Sequence, residues 1–129
     1  MKANDKILVI EDDEENLVLI IGALISKLCI TKEQILIASD VPSAREAFLK
    51  YQPQIVAICL DGCLNSQGIP DTFELSHEFK QAGFSGPIVA MSSSRFTRQE
   101  MLENGGCTHE VEVKREVARL LEEFFQGNT

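Results

Sequence analysis

The sequence predicts an α/β domain, a doubly wound parallel sheet of five strands with five helices spread over both faces. Two observations carry this prediction. Short, continuous apolar runs alternate with longer segments in which apolar residues recur every three or four positions. The length, 129 residues, is near the commonest size of one compact domain, so residues 1–129 read as a single unit.

Each element has its own signature. Ile7-Leu8-Val9-Ile10 is an apolar run closed by acids, the pattern of a strand buried on both faces. Leu17, Ile20, Ile21, Leu24, Ile25 and Leu28 follow as one face of a long helix. Ile35-Leu36-Ile37-Ala38 is the second strand. Pro42 and the capping-box pattern Ser43…Glu46 open a helix presenting Ala44, Ala47, Phe48 and Tyr51. Ile55 to Leu60 is the third and most apolar strand. An irregular stretch runs from Gly62 to Pro70, and Thr72, Leu75, Ser76 and Phe79 then give a weaker helical face ending near Gly83. Pro87 to Met91 is the fourth strand. Thr97 with Glu100 forms a second capping box, closed by Gly105 as C-cap. Glu110 to Val113 alternates charge and valine, as an edge strand with one wet face does. Val117, Leu120, Leu121, Phe124 and Phe125 make the final helix.

Composition narrows the function. With 44% hydrophobic and 25% charged residues the chain is an ordinary soluble protein. The longest apolar run, Leu17 to Ile25, is too short to span a bilayer, and Met1 to Lys6 lacks the apolar stretch of a secretory signal. The expected location is the cytoplasm, with no membrane partner. A net charge of −8 argues against nucleic acid, whose phosphates are held by clustered Lys and Arg. Cys29, Cys59, Cys63 and Cys107 include no CxxC pair and no histidine at zinc spacing. They are expected as reduced thiols, Cys29 and Cys59 as small buried hydrophobes.

In such a sheet, ligands bind beyond the carboxyl ends of the strands. Glu11, Asp12, Asp13, Glu14 and Glu15 follow strand one, Asp61 follows strand three, Ser92-Ser93-Ser94 strand four and Lys114 strand five. Asp13 to Glu15 read as helix caps and dipole partners, and Asp61-Gly62 is by itself a common turn dipeptide. Together, however, these groups converge if strands one, three, four and five are neighbours. Two carboxylates roughly 5 Å apart repel by about 3 kcal/mol at an effective dielectric near 20. A cluster of Glu11, Asp12 and Asp61 is therefore strained when empty. A divalent ion relieves it, and all-oxygen ligands with room for water suit Mg²⁺. A carboxylate beside Mg²⁺ with an ammonium opposite is arranged to attack a phosphoryl group.

Ile7-Leu8-Val9-Ile10-Glu11-Asp12-Asp13, the strand ending at Asp61, Pro87-Ile88-Val89-Ala90-Met91-Ser92 and the late Lys114 resemble a response-regulator receiver domain of two-component signalling, over essentially the whole chain. The resemblance implies the flavodoxin-like strand order 2-1-3-4-5. It implies that Asp61 is the phospho-acceptor and a metal ligand, that Asp12 binds Mg²⁺ directly, and that Glu11 holds it through water. By the same resemblance Cys63 lends a backbone carbonyl to the metal, Ser92 is the switch hydroxyl and Lys114 the site lysine. The implied partners are a histidine kinase or a His-containing phosphotransfer protein as donor, and a downstream protein target. A stand-alone receiver, as monomer or weak homodimer, would turn over no substrate beyond its own phosphorylation and dephosphorylation.

The chain departs from the family pattern in three places. The usual Met/Leu-Pro pair after the acceptor is absent, since Asn65 follows Leu64 and Pro70 comes late. Arg115, not proline, follows the lysine, and Val111 stands three residues before it in place of Tyr or Phe. These changes touch output more than the acceptor, and they admit a phosphorylation-independent, receiver-like interaction module as the alternative. A phosphohydrolase with an aspartyl nucleophile would carry a second Asp two residues after it, where this chain has Cys63.

Overall fold

The structure is a computed structural model that describes residues 1–64 and 71–127. Chain order is β1 (Lys6–Ile10), α1 (Glu14–Leu28), β2 (Ile35–Ala38), α2 (Val41–Tyr51), β3 (Ile55–Leu60), α3 (Phe73–Gln81), β4 (Ile88–Ala90), α4 (Arg95–Glu103), β5 (His109–Glu110) and α5 (Val117–Phe125). The strands form one parallel sheet in the order β2-β1-β3-β4-β5. Asn65 to Pro70, which include the second residue of the altered pair and most of the irregular stretch, lie outside the described residues.

Alternation along the strands sorts the core into two layers. Ile7 and Val9 of β1, Ala57 and Cys59 of β3 and Val89 of β4 point to the layer closed by α1 and α5, with Ile20, Leu24, Val117 and Leu121. Leu8, Ile10, Ile58, Leu60, Ile88 and Ala90 point to the other layer. There α2, α3 and α4 contribute Phe48, Phe79 and Met101. Continuous apolar runs are what two buried faces demand, and Ile7 to Ile10 are fully buried. No described helix is long and apolar enough to cross a membrane.

Four local expectations are corrected. Helix α2 is capped by Asp40, whose side chain accepts from the Ser43 amide at 2.8 Å, so Ser43 is the third helical residue, not the cap. Helix α4 likewise starts one turn before Thr97, with the Ser94 hydroxyl accepting from the Thr97 amide at 3.2 Å and Asn104 at the C-cap. The last strand pairs only over His109 and Glu110, although the Val111 amide still donates to the Ala90 carbonyl at 3.0 Å. Finally, Cys29 is exposed: it ends α1 in the left-handed region (φ 54°), which turns its side chain out of the core.

Candidate functional site

The ladder ends place the polar residues side by side. Ile10 of β1 pairs with Leu60 of β3, and Leu60 pairs with Ala90 of β4. Beyond those pairs the Asp61 amide donates to the Ile10 carbonyl at 3.0 Å, and the Met91 amide to the Leu60 carbonyl at 2.9 Å. Glu11, Asp61 and Ser92 therefore leave three adjacent strands at one edge, next to the point where the strand order reverses between β1 and β3.

Oxygens of Glu11, Asp12 and Asp61 lie within 4.8 Å of one another, Glu11 and Asp61 buried and Asp12 exposed. Asp13 stands apart as the cap of α1, accepting from the Asn16 amide at 2.9 Å. Lys114 opens a single 3-10 turn, Lys114–Glu116, and reaches in from the far side. Its Nζ donates to Glu11 Oε1 at 2.5 Å and lies 3.5 Å from Asp61 Oδ2. One ammonium thus serves two buried carboxylates. Glu11 Oε2 also accepts from the Asp12 and Asp13 amides at 3.1 and 3.3 Å, and Asp61 Oδ1 from the Gly62 amide at 2.9 Å.

The electrostatics follow from burial. Desolvation, reinforced by the negative charge of Glu11 and opposed by Lys114, pushes the Asp61 carboxyl up to about 7. Burial alone would lower the Lys114 ammonium, but its bond to Glu11 and the charge of Asp61 outweigh that and raise it. Elsewhere burial pushes the Cys59 and Cys107 thiols up to about 12, which leaves them protonated and inert.

The remaining expected residues flank this cluster. Ser92 is buried, and its Oγ accepts from the Ser94 amide at 3.2 Å. Cys63 is half-buried two residues beyond Asp61. Gly62 is packed so closely that a Cβ there would stand 2.6 Å from Thr97 Cγ2, 3.0 Å from Met101 Sδ and 3.3 Å from the Ser92 Cβ. The loop after Asp61 is tied back at its far end: the Thr72 hydroxyl donates to the Asp61 carbonyl at 2.8 Å and the Asp71 amide to the Gly62 carbonyl at 3.1 Å. The Leu64 amide completes the closure by donating to Asp71 Oδ1 at 2.9 Å.

Sequence reasoning missed Arg98. It sits on α4 one turn before Met101, on the face turned to the sheet, and is buried. Its Nη1 donates to the Ser92 carbonyl at 2.9 Å and its Nε to Glu110 Oε1 at 3.0 Å. The available signal was an arginine at helical spacing from a core methionine.

A carboxylate with two oxygen-ligand neighbours and a lysine across from it can bind a hard cation and present a nucleophilic oxygen. The donor set is oxygen only, and three carboxylates leave coordination positions for water, which fits Mg²⁺.

No family model matches the chain, and no curated protein matches it in sequence. Solved structures do. A two-component transcriptional regulator AraC from Clostridium phytofermentans is similar at 18% identity and a TM-score of 0.70, over 97% of this chain and 99% of that one. The signal receiver domain of an HD domain-containing protein from Pseudomonas fluorescens is similar at 15% identity and a TM-score of 0.67, over 97% and 98% of the two chains. A de novo designed Rossmann 2x3 protein is similar at 17% identity and a TM-score of 0.57, over 95% and 90%. The chain has the fold of response-regulator receiver domains. Because a designed protein shares its outline, function has to be argued from the site.

Proposed function

We propose that this chain is a phospho-accepting receiver, taking a phosphoryl group from a phosphohistidine onto Asp61 and signalling by protein–protein contact. The observation that carries the reading is the convergence of Glu11, Asp12 and Asp61 within 4.8 Å, with the Lys114 ammonium 3.5 Å from Asp61. Asp12, Asp61 and the Cys63 carbonyl would hold Mg²⁺ directly and Glu11 through water. When bound, the ion neutralises the carboxylates and the phosphoryl oxygens.

An Asp61 carboxylate oxygen attacks phosphorus, the P–N bond to the donor imidazole breaks, and the electron pair stays on that imidazole nitrogen. The Gly62 amide already holds Oδ1, which orients the carboxylate. Lys114 offers its ammonium to the charge spread over the transferring oxygens, and Ser92 offers its hydroxyl to the phosphoryl once it is in place. Water later cleaves the acyl phosphate, so no substrate other than the phosphodonor is turned over. The donor is a histidine kinase or a His-containing phosphotransfer protein, the output a second protein, and the setting cytoplasmic.

A second reading, a module that binds its partner without phosphorylation, draws on Val111 and on Lys114 lying closer to Glu11, at 2.5 Å, than to Asp61, at 3.5 Å. Intact mass after incubation with acetyl phosphate separates the two. Gain of one phosphate with Mg²⁺, its loss without Mg²⁺ and its absence in Asp61→Asn support the acceptor. Wild type that stays unlabelled with Mg²⁺ present supports the module.

A further inference from the structure

Arg98 is the least expected buried charge in the protein. A guanidinium stays ionised at any working pH, so burying it is costly unless acceptors meet it. Here two do, and they belong to different elements: the Ser92 carbonyl, in the turn after β4, and Glu110 Oε1, on β5. One side chain of α4 therefore ties the turn that carries the switch hydroxyl to the edge strand. The two ends differ in freedom. Ser92 is buried, whereas the Glu110 side chain is 41% exposed and can follow a moving partner.

The turn is poised against the site. The Ser92 hydroxyl accepts from the Ser94 amide, and the Ser94 hydroxyl caps α4 through the Thr97 amide. Gly62, adjacent to Asp61, is wedged against Thr97 and Met101 of the same helix. Turning the Ser92 hydroxyl toward a group on Asp61 gives up its bond from Ser94, and a shift of the turn toward the site carries the Ser92 carbonyl with it. That carbonyl is the one Arg98 holds. Because the guanidinium is planar and its N–H directions are fixed, it must move with the carbonyl or lose a buried bond.

We infer that Arg98 is the positioning residue that transmits a displacement of Ser92 to Glu110 and β5. This inference rests on the reading of Asp61 as acceptor. It carries the response from the turn after β4 to the edge strand.

The test is amide chemical-shift mapping of ¹⁵N-labelled full chain with Mg²⁺ and beryllofluoride, a phosphoryl mimic, with ¹⁹F signals reporting occupancy of the site. Wild type, Arg98→Met and Glu110→Ala are compared, reading Val111, Glu112 and Val113. Wild type should show shifts both around Ser92 and at these three residues. Each variant should keep the bound-fluoride signal and the shifts around Ser92, while the response at Val111, Glu112 and Val113 falls by about threefold or more. If Arg98→Met does not fold, Glu110→Ala decides alone, since its side chain lies at the surface end of the bridge. Shifts of wild-type size at these three residues in a folded, fluoride-bound variant overturn the inference. Wild type that binds no fluoride fails the acceptor reading itself, and the inference with it.

Discussion

Asp61 is a carboxylate placed where charge is disfavoured. Its folded value of about 7 stands well above the ordinary 3.8, because burial and Glu11 together outweigh Lys114. The sign is definite: the folded state holds this proton more tightly than the unfolded chain. The contribution is therefore fully present below the unfolded value and is lost as pH rises through about 7. Asn at this position has no proton to lose. Asp61→Asn without metal should thus be more stable than wild type by roughly 1–3 kcal/mol at pH 8, on the Coulomb scale of two close carboxylates. The gap should shrink toward pH 5. Paired calorimetric scans at the two pH values check this, and an equal gap at both would remove Asp61 as its source. Lys114 is the converse case. Lys114→Gln leaves Glu11 and Asp61 without a counter-charge and should destabilise the metal-free protein by about 3 kcal/mol in urea unfolding. Adding Mg²⁺ should return part of that stability.

At the scale of elements, the coupling between site and α4 is steric. Gly62→Ala drives a methyl into Thr97 Cγ2 at 2.6 Å and should cost about 1–3 kcal/mol. Thr97→Ser removes the obstructing methyl, so the double variant should recover part of the loss, a non-additivity that urea melts measure directly. The same scale shows what the sequence made legible. Strands β1 and β3 are readable because burial on both faces writes an unbroken apolar run, and the edge strand β2 carries such a run although its Ile37 is exposed. The caps of α2 and α4 lie one turn before the capping-box residues that the sequence pattern singles out. Asp40 and Ser94 each sit three residues before Ser43 and Thr97, and the capping-box spacing repeats at that offset, so a second apt pair stands just downstream of the true cap. Glu110 to Val113 has strand periodicity, yet β4 spans only Ile88–Ala90 and offers no partner beyond it. Glu11, Asp12, Asp61 and Lys114 were legible because each follows a strand end. Arg98 was not, because its partners are a backbone carbonyl and a residue twelve positions on, and neither leaves a mark on local spacing.

For the whole molecule, a sheet that gathers three carboxylates at its carboxyl edge, with one ammonium meeting two of them, is a fold carrying a local instability that a ligand can relieve. A cation bound only by the folded state stabilises it by mass action. Millimolar Mg²⁺ should therefore raise the melting temperature of wild type and leave that of Asp12→Ala unchanged; equal shifts in both would mean the ion binds elsewhere. The central claim, that Asp61 becomes an acyl phosphate, has a direct chemical readout. Borohydride reduces an acyl phosphate on aspartate to homoserine. Wild type treated with acetyl phosphate and Mg²⁺, then borohydride, should yield homoserine at position 61 on peptide mapping. Aspartate intact at 61, or homoserine at Asp12 instead, would contradict the account.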